Sequence, residues 1–180
     1  MSPLVDRLAE LRRHLAHLRT LRPRVSRDTL ARDLSLHNDV LFSLLTVCQL
    51  VIYIAAELAA RRGDRFEDYT EAVRQLARDP RFPSAIVVEL ERLPGFRNVL
   101  IHEYVALDLA RAVEALDRLD PVERFVAIVA EIEAEGEERP RQAGQHLRGA
   151  PRVVDAAGRP AVPLAELPRG RAEARRVLQG

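Results

Sequence analysis

An all-α fold is predicted for this chain: an antiparallel bundle of about five to six helices, followed by an irregular C-terminal tail. Three observations predict it. The 180 residues, 47% hydrophobic and 31% charged, suffice for one domain with a real core. Apolar residues recur at spacings of three and four through most of residues 1–135. Capping residues, prolines and glycines punctuate these runs where helices start and stop.

Ser2-Pro3 reads as the cap and first position of a helix, in which Leu4, Leu8, Leu11, Leu15 and Leu18 form one narrow seam before Pro23 ends it. Such a seam can face a core or a partner helix, and charge on the other faces makes a two-chain contact reasonable. Ser26 is the candidate cap of a long second helix, through Leu34, Leu41, Leu44, Cys48, Val51 and Ile52 to a stop at Gly63. Its second half is apolar nearly all round, the pattern of a central helix. Gln49 and Glu57 within that run favour a buried helix over a membrane span.

A third helix is expected from about Phe66 to Asp79, closed by Pro80. Pro83-Ser84 opens a fourth; Ile86-Val87-Val88 could pass for a short strand, but Glu89-Leu90-Glu91-Arg92-Leu93 continues a helical pattern. Pro94-Gly95 then breaks the chain and leaves the next segment on its own short helix. Asp108 looks like the cap of a helix through Leu109, Val113, Leu116 and Leu119. Asp120-Pro121-Val122-Glu123 is a strong restart, with a capping aspartate, proline at the first helical position and an acid at the third. The helical domain is assigned to residues 1–135 and a flexible or partner-binding tail to 136–180. The tail holds nine arginines against five acids and no aromatic residue, so it carries about +4 against about −3 for the body. Val153–Val162 could form a small hairpin and Ala172–Leu178 a short helix, but disorder until bound is the expectation.

All 28 basic residues are arginine, which records coding bias rather than selection at each site. A net charge of +1 offers no general attraction for a polyanion, so any nucleic-acid site must be local and DNA is not an expected partner. The single Cys48 cannot form an internal disulfide and suits a reducing cytoplasm. Met1–Arg7 lacks the apolar core and cleavage site of a secretory signal. His14 and His17, three apart, have no further ligand to complete a metal site, so neither metal nor cofactor is expected. His37 and Asp39 could reach a cleft from behind the central helix, and His146, in the tail, carries no argument.

The most informative segment is the octet Arg97-Asn98-Val99-Leu100-Ile101-His102-Glu103-Tyr104. An imidazole can move a proton near neutrality, while a fixed guanidinium holds the charge that builds on phosphorus, so the pair suits phosphodiester cleavage. On an ideal helix Arg97 and His102 diverge by roughly 140°. Either the flanking breaks bend the ends inward, or a second copy supplies the missing half, which would make a two-fold dimer. Without catalysis, Arg97 would be a surface residue, Asn98 and His102 a local hydrogen-bonded pair, and Tyr104 a core aromatic with its hydroxyl outward.

The pattern Arg97-Asn98-x-x-x-His102-x-Tyr104, after a long apolar helix, Tyr69 and Leu76, and a Phe96-Arg97-Asn98 turn, with Asp108 opening the closing helix, resembles the HEPN superfamily and its HepT-like toxins. The resemblance covers about residues 26 to 135. It implies a metal-independent endoribonuclease toxin of a bacterial type II-like toxin–antitoxin pair, cytoplasmic and homodimeric, with Arg97 and His102 of both copies in one cleft and RNA as substrate. Arg97 would bind the phosphate, His102 would act as general base or acid, and Asn98 would orient either. The partner implied is a nucleotidyltransferase-like antitoxin that transfers AMP from ATP to Tyr104. A non-catalytic helical module that binds such a partner, or a nucleotide, is the competing reading.

Overall fold

The structure, a computed structural model, describes residues 3–102 and 107–143, with side chains as far as 136. It is all-α, as expected. The described residues form eight α-helices: α1 (Pro3–Leu21), α2 (Arg27–Arg32), α3 (Leu34–Arg61), α4 (Tyr69–Arg74), α5 (Ser84–Leu90), α6 (Leu93–His102), α7 (Leu109–Asp117) and α8 (Asp120–Ala143). Short 3₁₀ turns at Arg22–Arg24 and Gln75–Arg78 follow α1 and α4.

The leucine seam of α1 is part of the core of its own chain. Leu4, Leu8, Leu11, Leu15, Leu18 and Leu21 are all buried, and α1 packs along α3. The two-chain contact considered for this seam is therefore overturned, because its apolar surface is already consumed. Burying each leucine contributes about 1.5–3 kcal/mol. Arginines on the rim tie α1 to distant segments: Arg7 bonds Glu57 of α3, Arg19 bonds Asp120 and Glu123, and Arg22 bonds Asp117.

The second helix is not continuous. Ser26 caps α2 in a reciprocal capping box with Thr29, but Asp33 then leaves the helical region (φ −108°, ψ 95°) and accepts a bond from the Leu36 amide, 3.0 Å. A short carboxylate that can cap a new helix competes with continuing the old one. His37 Nδ1 meets the Leu30 carbonyl across this break at 3.3 Å. α3 ends where expected. Gly63 takes φ +78°, and the amides of Gly63 and Asp64 bond the carbonyls of Ala60 and Ala59, closing the last turn in a Schellman arrangement.

α3 is the central helix, with α1, α2, α4, α6 and α7 packed around it. It is long and apolar enough to cross a membrane, yet Val47, Val51, Ile52 and Ile54 are buried by the surrounding helices. The third helix starts later than predicted, because Asp68 rather than Phe66 sets its start: Asp68 Oδ1 accepts from the Glu71 amide and the Glu71 carboxylate accepts from the Glu67 amide. It tightens to 3₁₀ before Asp79.

Around the octet the predicted break moves. α5 stops at Leu90 and the turn falls at Glu91-Arg92, so Pro94 and Gly95 lie inside the first turn of α6. Proline is tolerated there because its missing N–H would have had no helical acceptor. Asp108 caps α7 as expected, accepting from the Ala110 amide at 3.0 Å. Asp120 is already helical and its carboxylate is drawn to Arg19; the Leu119 carbonyl begins α8 by accepting from Val122 and Glu123. α8 continues to Ala143, past residue 135, where the tail was expected to begin. The cap expected at Ser2, the hairpin and helix expected in the tail, and His146 lie outside the described residues.

Candidate functional site

α6 lies against α3 and α4, anchored by the buried Leu100; Asn98 and His102 are exposed, and Arg97 is half-buried on the side facing α3. Arg97 is held in place by two amides. Its Nε donates to Gln49 Oε1 of α3 at 2.5 Å, and its Nη1 donates to Asn98 Oδ1 at 3.2 Å. Its guanidinium carbon also sits 5.9 Å from the ring centroid of Tyr69 in α4. An arginine offers only donors, so Gln49 must turn its oxygen towards it; the Gln49 Nε2 is left buried with no partner among the described residues.

Both amide partners are neutral. Arg19, Arg22, Arg61 and Arg81 each face one or more carboxylates, whereas Arg97 has none among the described residues. Its position is fixed while no carboxylate of the described residues compensates its charge, the condition under which a guanidinium can still bind a phosphate. The charge is felt inside the protein as well. Burial pushes the Cys48 thiol up to about 12, and the nearby Arg97 acts in the opposite direction without overcoming it. Cys48 is therefore a packing residue.

His102 is the last residue of α6 and is exposed, with no hydrogen-bond partner among the described residues. Asn98 pairs with Arg97 and not with His102, so the local Asn98–His102 pair considered from sequence does not form. No hydrogen bond joins Arg97 to His102 among the described residues. Tyr104 lies outside the described residues.

The remaining polar residues weighed from sequence have local partners. His14 Nε2 meets Glu10 at 3.2 Å, and His17 Nε2 meets Asp39 Oδ1 at 2.7 Å. Asp39 is thus engaged by α1 and His37 by the α2 carbonyl, and neither reaches the motif from behind. No metal-binding cluster occurs among the described residues. A cavity of about 540 Å³ between α3 and α5–α8 is lined by Leu44, Cys48, Phe96, Val99 and Val122, with Arg111 near its mouth. Arg97, Asn98 and His102 do not line it, so the motif faces away from the cavity.

Gln49 was not recognised as a site residue from sequence. Its signal was present: an amide in an otherwise apolar helical run must find a partner when buried. What could not be read was that the partner is Arg97, 48 positions later.

Comparison with known proteins agrees with this fold. The family pattern described as Ribonuclease HepT-like matches residues 11–129, so the match includes half of α1, earlier than the residue 26 expected. A curated protein of Archaeoglobus fulgidus whose provisional name is RNase is 32% identical over 81 residues, 45% of this chain. The match spans 61% of that relative's length. Among solved structures, a tri-AMPylated Shewanella oneidensis HEPN toxin in complex with MNT antitoxin superposes with a TM-score of 0.64 at 19% identity, covering 73% of this chain and 99% of that one. A toxin–antitoxin structure with AMP-PNP gives a TM-score of 0.63 at 19% identity, covering 72% and 99%. At such identity these two structures establish a shared fold. With the family pattern spanning most of the helical body, the chain belongs to the HepT-like ribonuclease family.

Proposed function

We propose that the protein is a metal-independent endoribonuclease that acts as the toxin of a bacterial type II-like toxin–antitoxin pair in the cytoplasm. The observation that carries this reading is Arg97: a guanidinium held by two neutral amides, with no carboxylate partner among the described residues, five residues before an exposed histidine. The helical body, residues 1–135, would carry the activity.

Two copies would associate so that Arg97 and His102 of each line one cleft. The ribose 2′-hydroxyl attacks the adjacent phosphorus as one imidazole removes its proton, the P–O5′ bond breaks, and the second imidazole protonates the leaving 5′-oxygen. The products would be a 2′,3′-cyclic phosphate and a 5′-hydroxyl. Arg97 would hold the non-bridging oxygens as negative charge builds on them, with Asn98 steadying the guanidinium. DNA lacks the attacking hydroxyl and would be spared.

The expected partner is a nucleotidyltransferase-like antitoxin that neutralises the toxin through Tyr104. The tyrosine oxygen would attack the α-phosphorus of ATP and pyrophosphate would leave. The added nucleotide would then block the cleft mouth and repel RNA phosphates. The 136–180 tail, with its excess of arginine, would serve as a partner-binding segment.

The test is cleavage of a single-stranded RNA by the wild-type protein and by His102→Ala and Arg97→Ala, in EDTA, with DNA of the same sequence as control. RNA-only cleavage that both substitutions nearly abolish is the expected result. Cleavage that survives both would reject the assignment, and cleavage abolished by EDTA would reject its metal independence. Intact-mass measurement beforehand shows whether Tyr104 carries AMP.

A further inference from the structure

Arg97 is one end of a row of side chains drawn from four helices. Its guanidinium lies 5.9 Å from the Tyr69 ring of α4; that ring meets the Tyr53 ring of α3 edge-on, with centroids 6.4 Å apart and planes at 67°. Beyond it, Arg7 of α1 lies 5.9 Å from the Tyr53 ring and is bonded to Glu57. The row runs cation, ring, ring, cation, starting at the motif arginine.

Its exposure is what calls for explanation. Only 4% of the chain is aromatic, with three tyrosines and no tryptophan. Two of those tyrosines meet beside Arg97, and they remain 40% and 43% exposed. Phe82 and Phe125 pack together in the core, both buried, while Phe42 is exposed and meets the His14 ring edge-on. Tyrosine rings half in water gain little for folding. Each arginine covers part of a ring and fixes its plane by cation–π attraction, so the two rings are preorganised.

The cations differ. Arg7 is neutralised by Glu57, whereas Arg97 has no carboxylate partner among the described residues. Exposed aromatic rings beside an uncompensated arginine are the combination that binds single-stranded nucleic acid: bases stack on the rings and the cation takes a backbone phosphate. Stacking accepts any base, because every base has a π-face.

We infer that Tyr53 and Tyr69 form a base-stacking platform that holds the single-stranded RNA flanking the phosphate bound at Arg97. The inference rests on the proposed RNA substrate and adds to it where the strand lies and why it must be unpaired. Neither tyrosine touches the reacting atoms. They are binding residues, acting through the position of the strand.

The experiment uses the full chain carrying His102→Ala, so that RNA is bound and not cut, with a fluorescein-labelled ten-nucleotide oligoadenylate as probe. Fluorescence anisotropy gives the affinity and light scattering the oligomeric state, for the parent, for a Tyr53→Leu/Tyr69→Leu pair and for a Tyr53→Phe/Tyr69→Phe pair. Base–aromatic stacking is worth about 1–3 kcal/mol per base, so the leucine pair should lose at least about tenfold in affinity. The phenylalanine pair keeps both rings and should stay within about threefold of the parent.

A leucine pair that binds as tightly as the parent overturns the platform and leaves the nuclease reading standing. A phenylalanine pair as weak as the leucine pair also overturns it, because the hydroxyls would then be the binding groups. If the leucine pair changes oligomeric state with the loss, the face is a contact between copies and the platform is wrong. If the parent binds no RNA at all, the nuclease reading fails with it.

Discussion

Arg97 shows how a residue can be fixed without being neutralised. A carboxylate at position 49 would hold it more strongly, since a charge-assisted bond is about twice as strong as a neutral one, but it would cancel the charge that the proposed phosphate contact needs. Gln49→Glu is therefore expected to keep the fold while weakening RNA binding by about tenfold or more, read by anisotropy in the His102→Ala background. An unchanged affinity would mean that the charge of Arg97 is not used. Cys48 makes the opposite case. With its thiol pushed up to about 12 by burial, it should resist alkylation at pH 7.5 in the folded protein and react promptly once denatured. Mass spectrometry after brief iodoacetamide treatment reads the difference, and rapid native labelling would show that α3 opens there. Cys48 and Gln49 are consecutive in α3, in a run whose polarity pattern announces only that something polar lies inside it.

At the scale of elements, the ends of helices and the short turns are where sequence and structure part. Asp33, Asp68 and Asp108 cap helices with their own carboxylates, and of these the sequence made Asp108 plain. Asp33 stayed hidden because the apolar spacing continues across it. Asp120 has the sequence of a cap but is drawn off by Arg19, a competition between a local bond and one to a residue 101 positions away. Asp79, after the 3₁₀ turn, is buried and accepts from the Arg81 amide and guanidinium at 2.7–3.0 Å, while Arg81 also reaches Glu135 of α8. The side-chain bonds from Arg81 hold the Asp79 carboxyl below the usual aspartate range. A depressed pKa stabilises the fold above the unfolded value and loses that contribution as pH falls through the folded one. Asp79→Asn should thus cost about 1–3 kcal/mol at pH 7 in urea unfolding. The gap between variant and wild type should narrow as the pH is taken below about 4, the unfolded aspartate value. A gap that stays constant down to pH 2 would exclude the ionised pair as its source.

For the molecule as a whole, α3 is the organising element. Helices that are far apart in sequence pack around it, and the motif helix is one of them. Leu11 of α1, fully buried, is a direct probe of that core. Leu11→Ala should destabilise the protein by about 2–5 kcal/mol through lost burial and the cavity left behind, with no change in oligomeric state by light scattering. A Leu11→Ala protein that dissociates without losing monomer stability would return the leucine seam to an intermolecular role. Arg97 and the exposed His102 lie instead on a different helix, α6, where the proposed association of two copies would bring them together.

The all-α class, the central position of α3 and the stop at Gly63 were legible in the linear chain, and the octet stood out as the candidate segment, because each rests on short-range rules: period, capping and the chemistry of neighbouring residues. Folding decided the rest. Gln49 as the partner of Arg97, the Tyr53–Tyr69 row, the burial of the α1 leucines within one chain and the diversion of Asp120 all depend on side chains brought together from distant positions. Local propensity is a property of a few consecutive residues; which neutral amide meets which guanidinium is settled only when helices pack.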